Sequence, residues 1–516
     1  MALPRKGPLF QPPAPYSPGF RSRPGGHAAL PSPIGIDEVN VPDTGATRSG
    51  WTLNIPLLLL CACLHGCDGS PQARLEPGES HPGGATTTAQ QDANAFSMPS
   101  NNLRPIRRMD FFVGNAFFRS GWKPAGNGAQ GKSGLGPLFN TDACQSCHIK
   151  DGRGHPPHEQ SLAPALSALV RLSIPASEED AASLVRNGVI AEPVYGGQLQ
   201  DNALEGHRPE GRVWLEYTRS SVTLADGTDV HLRQPKIEIR DLGYGPLHPD
   251  TLMSLRVAPP MIGLGLLEAI PDAELEANAR DQASHGQVSG RLNRVWDEAS
   301  ARTVIGRFGW KAGQPSLRQQ NAAAFAGDMG LSNSVFAHDD CTGAQSACRE
   351  APQGSQPEVS ESVLDSVLFY TRHLAVPMRR EAGSPDVLRG KAVFSELGCA
   401  ACHRPSYTTG EAAEAELTQQ HIYPYTDLLL HDMGPGLADG RPEFLASGSE
   451  WRTPPLWGIG LTATVSGHTQ YLHDGRAESL LEAILWHGGE AQGSRDRVVA
   501  LATDDRLALL RFLESL

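Results

Sequence analysis

Two rhythms of apolar and polar positions run along this chain. Between about 165 and 245 the period is two: Leu166, Ala168, Val170, Leu172 and Ile174 recur at every second position. That spacing predicts a strand with one buried face. Two further alternating runs occupy 222–233 and meet at Asp226-Gly227, a turn pair that lets strands fold back on each other. The stretches 213–218 and 236–240 are also strand candidates. A helical period returns from Asp272, just after Pro271, and again over 361–376, where Pro377 stops it. The last helix predicted is 504–516, with Leu509, Phe512, Leu513 and Leu516 on one inner face.

Residues 1–49 lack any apolar period and are rich in proline, glycine and arginine, which predicts disorder. The apolar run 55–64, preceded by Arg48, has the length of an export-signal core and is too short to span a bilayer. Leu64-His65-Gly66-Cys67 is similar to a lipoprotein cleavage box, with Leu60-Cys61-Ala62-Cys63 as a rival and an ordinary cleaved signal as the alternative. A mature chain beginning near Cys67 is therefore expected in the periplasm or cell envelope, with a lipidated cysteine as its membrane tether. Residues 68–105, rich in Ser, Pro, Gly, Gln and Thr, are expected to form a disordered tether.

The 516 residues leave room for two or three domains. A net charge of -13 argues against nucleic acid as a partner and favours a basic redox partner protein.

The chemistry is concentrated in the cysteines. Four of the nine lie in CQSCH at 144–148 and CAACH at 399–403. Two cysteines separated by two residues and followed at once by histidine form the attachment pattern of a c-type haem. Each thiol adds to one vinyl group, and the histidine then lies under the iron. A redox dithiol or a zinc-binding pair leaves the histidine after each pair unexplained. Cys144, Cys147, Cys399 and Cys402 are thus the expected attachments of two covalently bound haem c groups, with His148 and His403 as iron ligands. Cys341 and Cys348 remain as a candidate disulfide on the oxidising side of the membrane. Gly114 with Phe118 and Gly390 with Phe394 precede the two motifs as a faint internal repeat, each placing an aromatic one helical turn after a glycine. A second axial ligand is needed for electron storage. His487 shares a helical stripe with Leu480, Ala483 and Ile484, and Met433 is its rival.

Several stretches carry a resemblance. GLGPLFN at 134–140, GLGLLEAIP at 263–271, FGWKAGQPSLRQQ at 308–320, DMG at 328–330, WRTPPLWGIG at 451–460 and LHDGRA at 472–477 occur in this order around the two motifs. Together they resemble the bacterial di-haem cytochrome c peroxidase and methylamine-utilisation enzyme superfamily, in its thiol oxidoreductase-like branch, over residues 106–516. The resemblance implies that the ligand opposite His403 lies fourteen residues past His473, which is His487 rather than the usual methionine. It also implies an inter-haem tryptophan, for which Trp310 is the candidate and a core tryptophan the plain alternative. A carboxylate over the reactive haem falls at Asp328, with Glu268 as a second choice. The distal histidine of the peroxidases has no clear counterpart; His155 and His158 are merely near. The family's calcium pattern is not clearly kept, which leaves calcium open.

The expected fold is mainly α, with two cytochrome c-like haem domains and a β-rich insertion in the first. The boundaries are 1–67 leader, 68–105 tether, 106–378 first haem domain with insertion at about 165–245, and 379–516 second haem domain. The expected function is an exported di-haem oxidoreductase that passes electrons from the C-terminal relay haem to the N-terminal reactive one, where a small oxidant such as peroxide is reduced. The alternative is a non-catalytic electron-transfer protein with both irons saturated.

Overall fold

The computed structural model describes residues 73–126, 132–286 and 288–516. The leader, the apolar run and Cys61, Cys63 and Cys67 lie outside the described residues. Among the described residues no helix is long and apolar enough to cross a membrane.

Two helix pairs flank the two motifs. Pro105–Arg119 precedes the first motif and packs on Glu361–Arg372; Pro385–Glu396 precedes the second and packs on Thr503–Ser515. Ser360 and Ser384 cap their helices by accepting from the backbone N–H of Val363 and Val387. Proline stands in the first turn of Pro105–Arg119 and Pro385–Glu396, where its missing N–H costs nothing. The repeated glycines set the closeness of both pairs. A β-carbon at Gly114 would lie 2.7 Å from Cβ of Tyr370, and one at Gly390 would lie 2.7 Å from Cβ of Phe512 and meet the backbone of Ala508. Gly390→Val should therefore destabilise the protein by about 3 kcal/mol or more through overpacking, measured by chemical denaturation; a loss below about 0.5 kcal/mol would show that the pair can separate freely.

The β segments follow the alternation. Arg212–Thr223 pairs with Asp229–Arg240 around the Asp226-Gly227 turn, in register from Arg212 opposite Arg240 to Thr223 opposite Asp229. Ala168–Ser173 pairs with Leu252–Val257. Small antiparallel pairs also occur far from that region, such as Arg294–Asp297 with Arg302–Ile305 and Leu430–Asp432 with Glu450–Arg452.

The expectation of a mainly α protein is corrected by these strands and by the length of irregular chain: among the described residues helix accounts for 32% and strand for 17%. The helical period overstates helix length where other bonds compete. The helix expected over 361–376 ends at Arg372, because Leu374 and Pro377 bridge to Pro99 and Thr88. The stripe of Leu480, Ala483, Ile484 and His487 is helical only over Leu480–Leu485.

A second correction concerns the tether. Residues 73–104 lie against the body. Glu79, fully buried, pairs with Arg379 and with Lys391 at 2.7 Å, and accepts a hydrogen bond from Tyr425 Oη at 2.8 Å. Ser97 Oγ donates to Asp151 at 2.6 Å. The polar residues that suggested solvation are instead bonded to partners far along the chain. Cys341 and Cys348 are joined as a disulfide.

Candidate functional site

Cys144–Cys147 forms one short helical turn, and His148 leaves it with its N–H still bonded to the Cys144 carbonyl at 3.0 Å. The ring is held by Nδ1, which donates to the carbonyl of Pro259 at 2.8 Å. That bond fixes the tautomer and leaves Nε2 as a bare lone pair, the arrangement of a metal-ligating histidine. The ring is partly exposed by accessible surface, and what it faces is a cavity lined by protein. Burial pushes His148 down to about 4, so it is neutral and able to ligate. Cys144 and Cys147 are unbridged. Burial pushes Cys144 up to about 12 and Cys147 also upward. Such thiols stay protonated at neutral pH, unlike the activated thiolates of a dithiol catalyst or a zinc site.

The second motif repeats these terms. His403 Nδ1 donates to the carbonyl of Tyr425 at 3.0 Å, and burial lowers the ring to about 4. The next cause of that lowering is His487, so the two imidazoles are near neighbours. His487 in turn gives Nδ1 to the carbonyl of Ala483 at 2.8 Å, leaving its own Nε2 bare. It lies two residues past the Leu480–Leu485 helix, and Leu480, Ala483, Ile484 and His487 line one wall, as their stripe predicts. Met433 also reaches the wall. The structure adds a residue that sequence reasoning missed. His431 is buried, with Nε2 on Asp427 and Nδ1 on Glu490, both at 2.9 Å. Burial opposes its charge, but these bonds and one from Cys402 prevail and raise it to about 12. With both nitrogens engaged by carboxylates, His431 has no free lone pair to offer a metal.

Both motifs face one cavity of about 830 Å³. On its wall stand Trp310, Trp451 and His473. Trp451 stacks on His473 at 3.7 Å and 14°, and Trp310 meets His473 edge-on at 6.5 Å. Trp310 is buried, and its Nε1–H donates to the carbonyl of Val257 at 2.9 Å. Three arginines on this wall, Arg153, Arg171 and Arg452, have no carboxylate within ion-pair distance among the described residues. Arg153 gives Nε to the Gln470 carbonyl at 2.6 Å, and Arg452 gives Nε to that of Gly309 at 2.9 Å. Burial lowers both to about 10. Arg256 and Arg441 differ, since they share Glu443 at 2.7 and 3.1 Å, although Arg256 Nη2 and Arg441 Nε have no hydrogen-bond partner among the described residues. Buried cations without counter-ions are costly. A wall of apolar side chains, bare imidazole nitrogens, paired thiols and uncompensated arginines fits a tetrapyrrole, whose apolar body, metal and carboxylate arms match those groups in turn.

The remaining predicted residues separate. Asp328 lines the cavity near the first motif: its charge bears on both Cys144 and Cys147. Its Oδ1 accepts from Gln198 Nε2 at 2.9 Å, which leaves Oδ2 uncommitted. Burial raises its pKa, against the pull of Arg171. Glu268 is not on this wall. One oxygen accepts from the backbone N–H of Leu317 at 2.8 Å and the other from Arg372 at 2.7 Å, so it caps a helix and pairs across to another. His155, His158 and His468 group together with ring centres 5.9 Å apart and do not line the cavity. Sequence reasoning missed the Trp451–His473 stack and the arginines, because neither shows in local spacing.

Three comparisons bear on this arrangement. The sequence model of the family described as "Di-haem oxidoreductase, putative peroxidase" matches residues 78–516. No curated protein matches the chain. Among solved structures, hydrazine synthase of Kuenenia stuttgartiensis, pressurized with xenon, is similar at 17% identity with a TM-score of 0.22. That match covers 36% of this chain and 65% of the other.

Proposed function

The chain belongs to the di-haem oxidoreductase family, and from that premise we propose that it is an exported, c-type enzyme that reduces a small oxidant such as peroxide. Cys144 with Cys147 and Cys399 with Cys402 would hold two haem groups through thioethers, with His148 and His403 as the metal-binding imidazoles. When bound, haem supplies one-electron redox chemistry and, where an axial position is open, the place at which an oxidant is taken up. The roles of the two sites differ. His487, whose Nε2 is bare and which stands near His403, would be the second residue to hold the metal at that site and would fit it for electron relay. The first site would then be the place of reaction, and Trp310, on the cavity wall beside His473, would stand between the two groups as the bridging side chain. At the first site Asp328 Oδ2 accepts a proton from one peroxide oxygen and returns it to the other, so that cleavage yields water. Peroxide needs two electrons and two protons to become two waters, and a redox partner protein supplies the electrons. The protein's negative charge suits a donor with a basic face. Export, and attachment through a lipidated Cys67 or Cys63, follow from the leader's pattern.

The carrying observation is an asymmetry. His487, with its Nε2 bare, shares the wall with His403 and bears on it, whereas the ring beside His148 is that of Phe118. Absorption and paramagnetic resonance spectra of the purified protein, oxidised and half reduced, test it. One bis-histidine centre should remain unchanged while the other binds carbon monoxide when reduced. Two centres that both refuse carbon monoxide and peroxide would leave an electron carrier in place of an enzyme.

A further inference from the structure

Outside the haem cavity, three segments meet at His373. This residue follows the Glu361–Arg372 helix and is fully buried. Its Nδ1 donates to the carbonyl of Phe369 at 2.9 Å. Its Nε2 is therefore a bare lone pair, and it is buried without a hydrogen-bond partner. Glu414 and Glu416 stand beside it, and one donor atom from each of the three residues lies within 4.8 Å of the others. Arg107 bonds both carboxylates, Glu414 and also Glu416 at 2.6 Å; Arg372 lies 3.9 Å from Glu414 but is held by Glu268 at 2.7 Å, so Arg107 is the main competitor. Nothing occupies the imidazole nitrogen.

We propose that His373, Glu414 and Glu416 form a binding site for a divalent first-row cation of the zinc class, and that Arg107 is the cation it displaces. One imidazole and two carboxylates match zinc better than calcium or magnesium, which take oxygen ligands almost exclusively. Donors around a zinc ion lie about 2.0–2.2 Å from it, so the three atoms need to close by a modest rotation of the glutamates once Arg107 swings out. Arg107 retains about a quarter of its side-chain surface in solvent (23%), which gives it somewhere to go. The carbonyl that holds Nδ1 is the usual outer support of a metal-bound histidine. Occupation would tie the 410s loop to the end of the Glu361–Arg372 helix. The site shares no residue with the haem cavity, and its argument is independent of the activity proposed above.

Calorimetric titration of the chelator-treated holoprotein with zinc chloride tests the proposal. One zinc per chain is expected, with binding weakened at least tenfold in His373→Ala and in Glu416→Gln. Arg107→Gln should strengthen it about tenfold, since it removes the competing cation and leaves the three donors. Should His373→Ala fail to fold, the partly exposed Arg107 still provides a variant with the opposite predicted sign. Zinc uptake equal in the wild type and Glu416→Gln, or unchanged by Arg107→Gln, would mean binding to surface histidines only and would overturn the site.

Discussion

Asp328→Asn is expected to lower peroxide turnover by about 10²–10⁴-fold, the usual worth of a positioned acid–base group, while KM changes little. Asparagine keeps the acceptor that Gln198 Nε2 bonds at 2.9 Å, so the local packing survives. What it lacks is a second oxygen able to take and return a proton. Burial raises the Asp328 pKa. As the first base in the reaction, Asp328 must be ionised, so activity is present above its pKa and falls as pH drops through it. The acid limb of the kcat/KM profile should therefore lie above the ordinary carboxylate range and vanish in the variant. An unchanged profile would remove Asp328 from the chemistry. An unchanged absorption spectrum is the control that the haem environment is intact.

His487→Met is expected to raise the potential of the relay centre by on the order of 100 mV, since a thioether in place of imidazole favours reduced iron. At about 59 mV per tenfold for one electron, the ratio of reduced to oxidised centres shifts about fifty-fold. The paramagnetic resonance signal should change from a two-nitrogen to a nitrogen–sulfur type in the same sample. His487→Ala should instead open that centre to carbon monoxide. If neither variant alters the spectrum, the ligand is another residue on the wall, with Met433 the first to examine.

Legibility in the sequence depended on distance along the chain. The motifs at 144–148 and 399–403 are local, and their chemistry is written in spacing alone. The strands around Asp226-Gly227 and the helix pairs set by Gly114 and Gly390 were readable for the same reason. The preference for His487 over Met433 came from the resemblance, which counts fourteen residues on from His473, and not from local spacing. What escaped is long-range. Glu79 looks like one polar residue in a tether until Arg379, Lys391 and Tyr425 surround it. Glu268 reads as a spare acid until Arg372 and the Leu317 N–H engage both its oxygens. Trp451 and His473 are far enough apart in sequence that no periodicity predicts their stacking. The mainly α expectation failed because short strands such as Leu430–Asp432 carry too few residues for alternation to register.

The single cavity has a consequence for the order of biogenesis. Left as an empty void, about 830 Å³ would cost roughly 20 kcal/mol at about 24 cal/mol per Å³, more than the about 5–15 kcal/mol that holds a typical domain together. Flooding it would wet Phe118, Phe325, Leu456 and Trp457, side chains that now belong to the interior. Either alternative costs stability. Cofactor loading is therefore expected to accompany chain collapse, and cells unable to deliver haem should accumulate protease-sensitive fragments in place of a folded, colourless apoprotein.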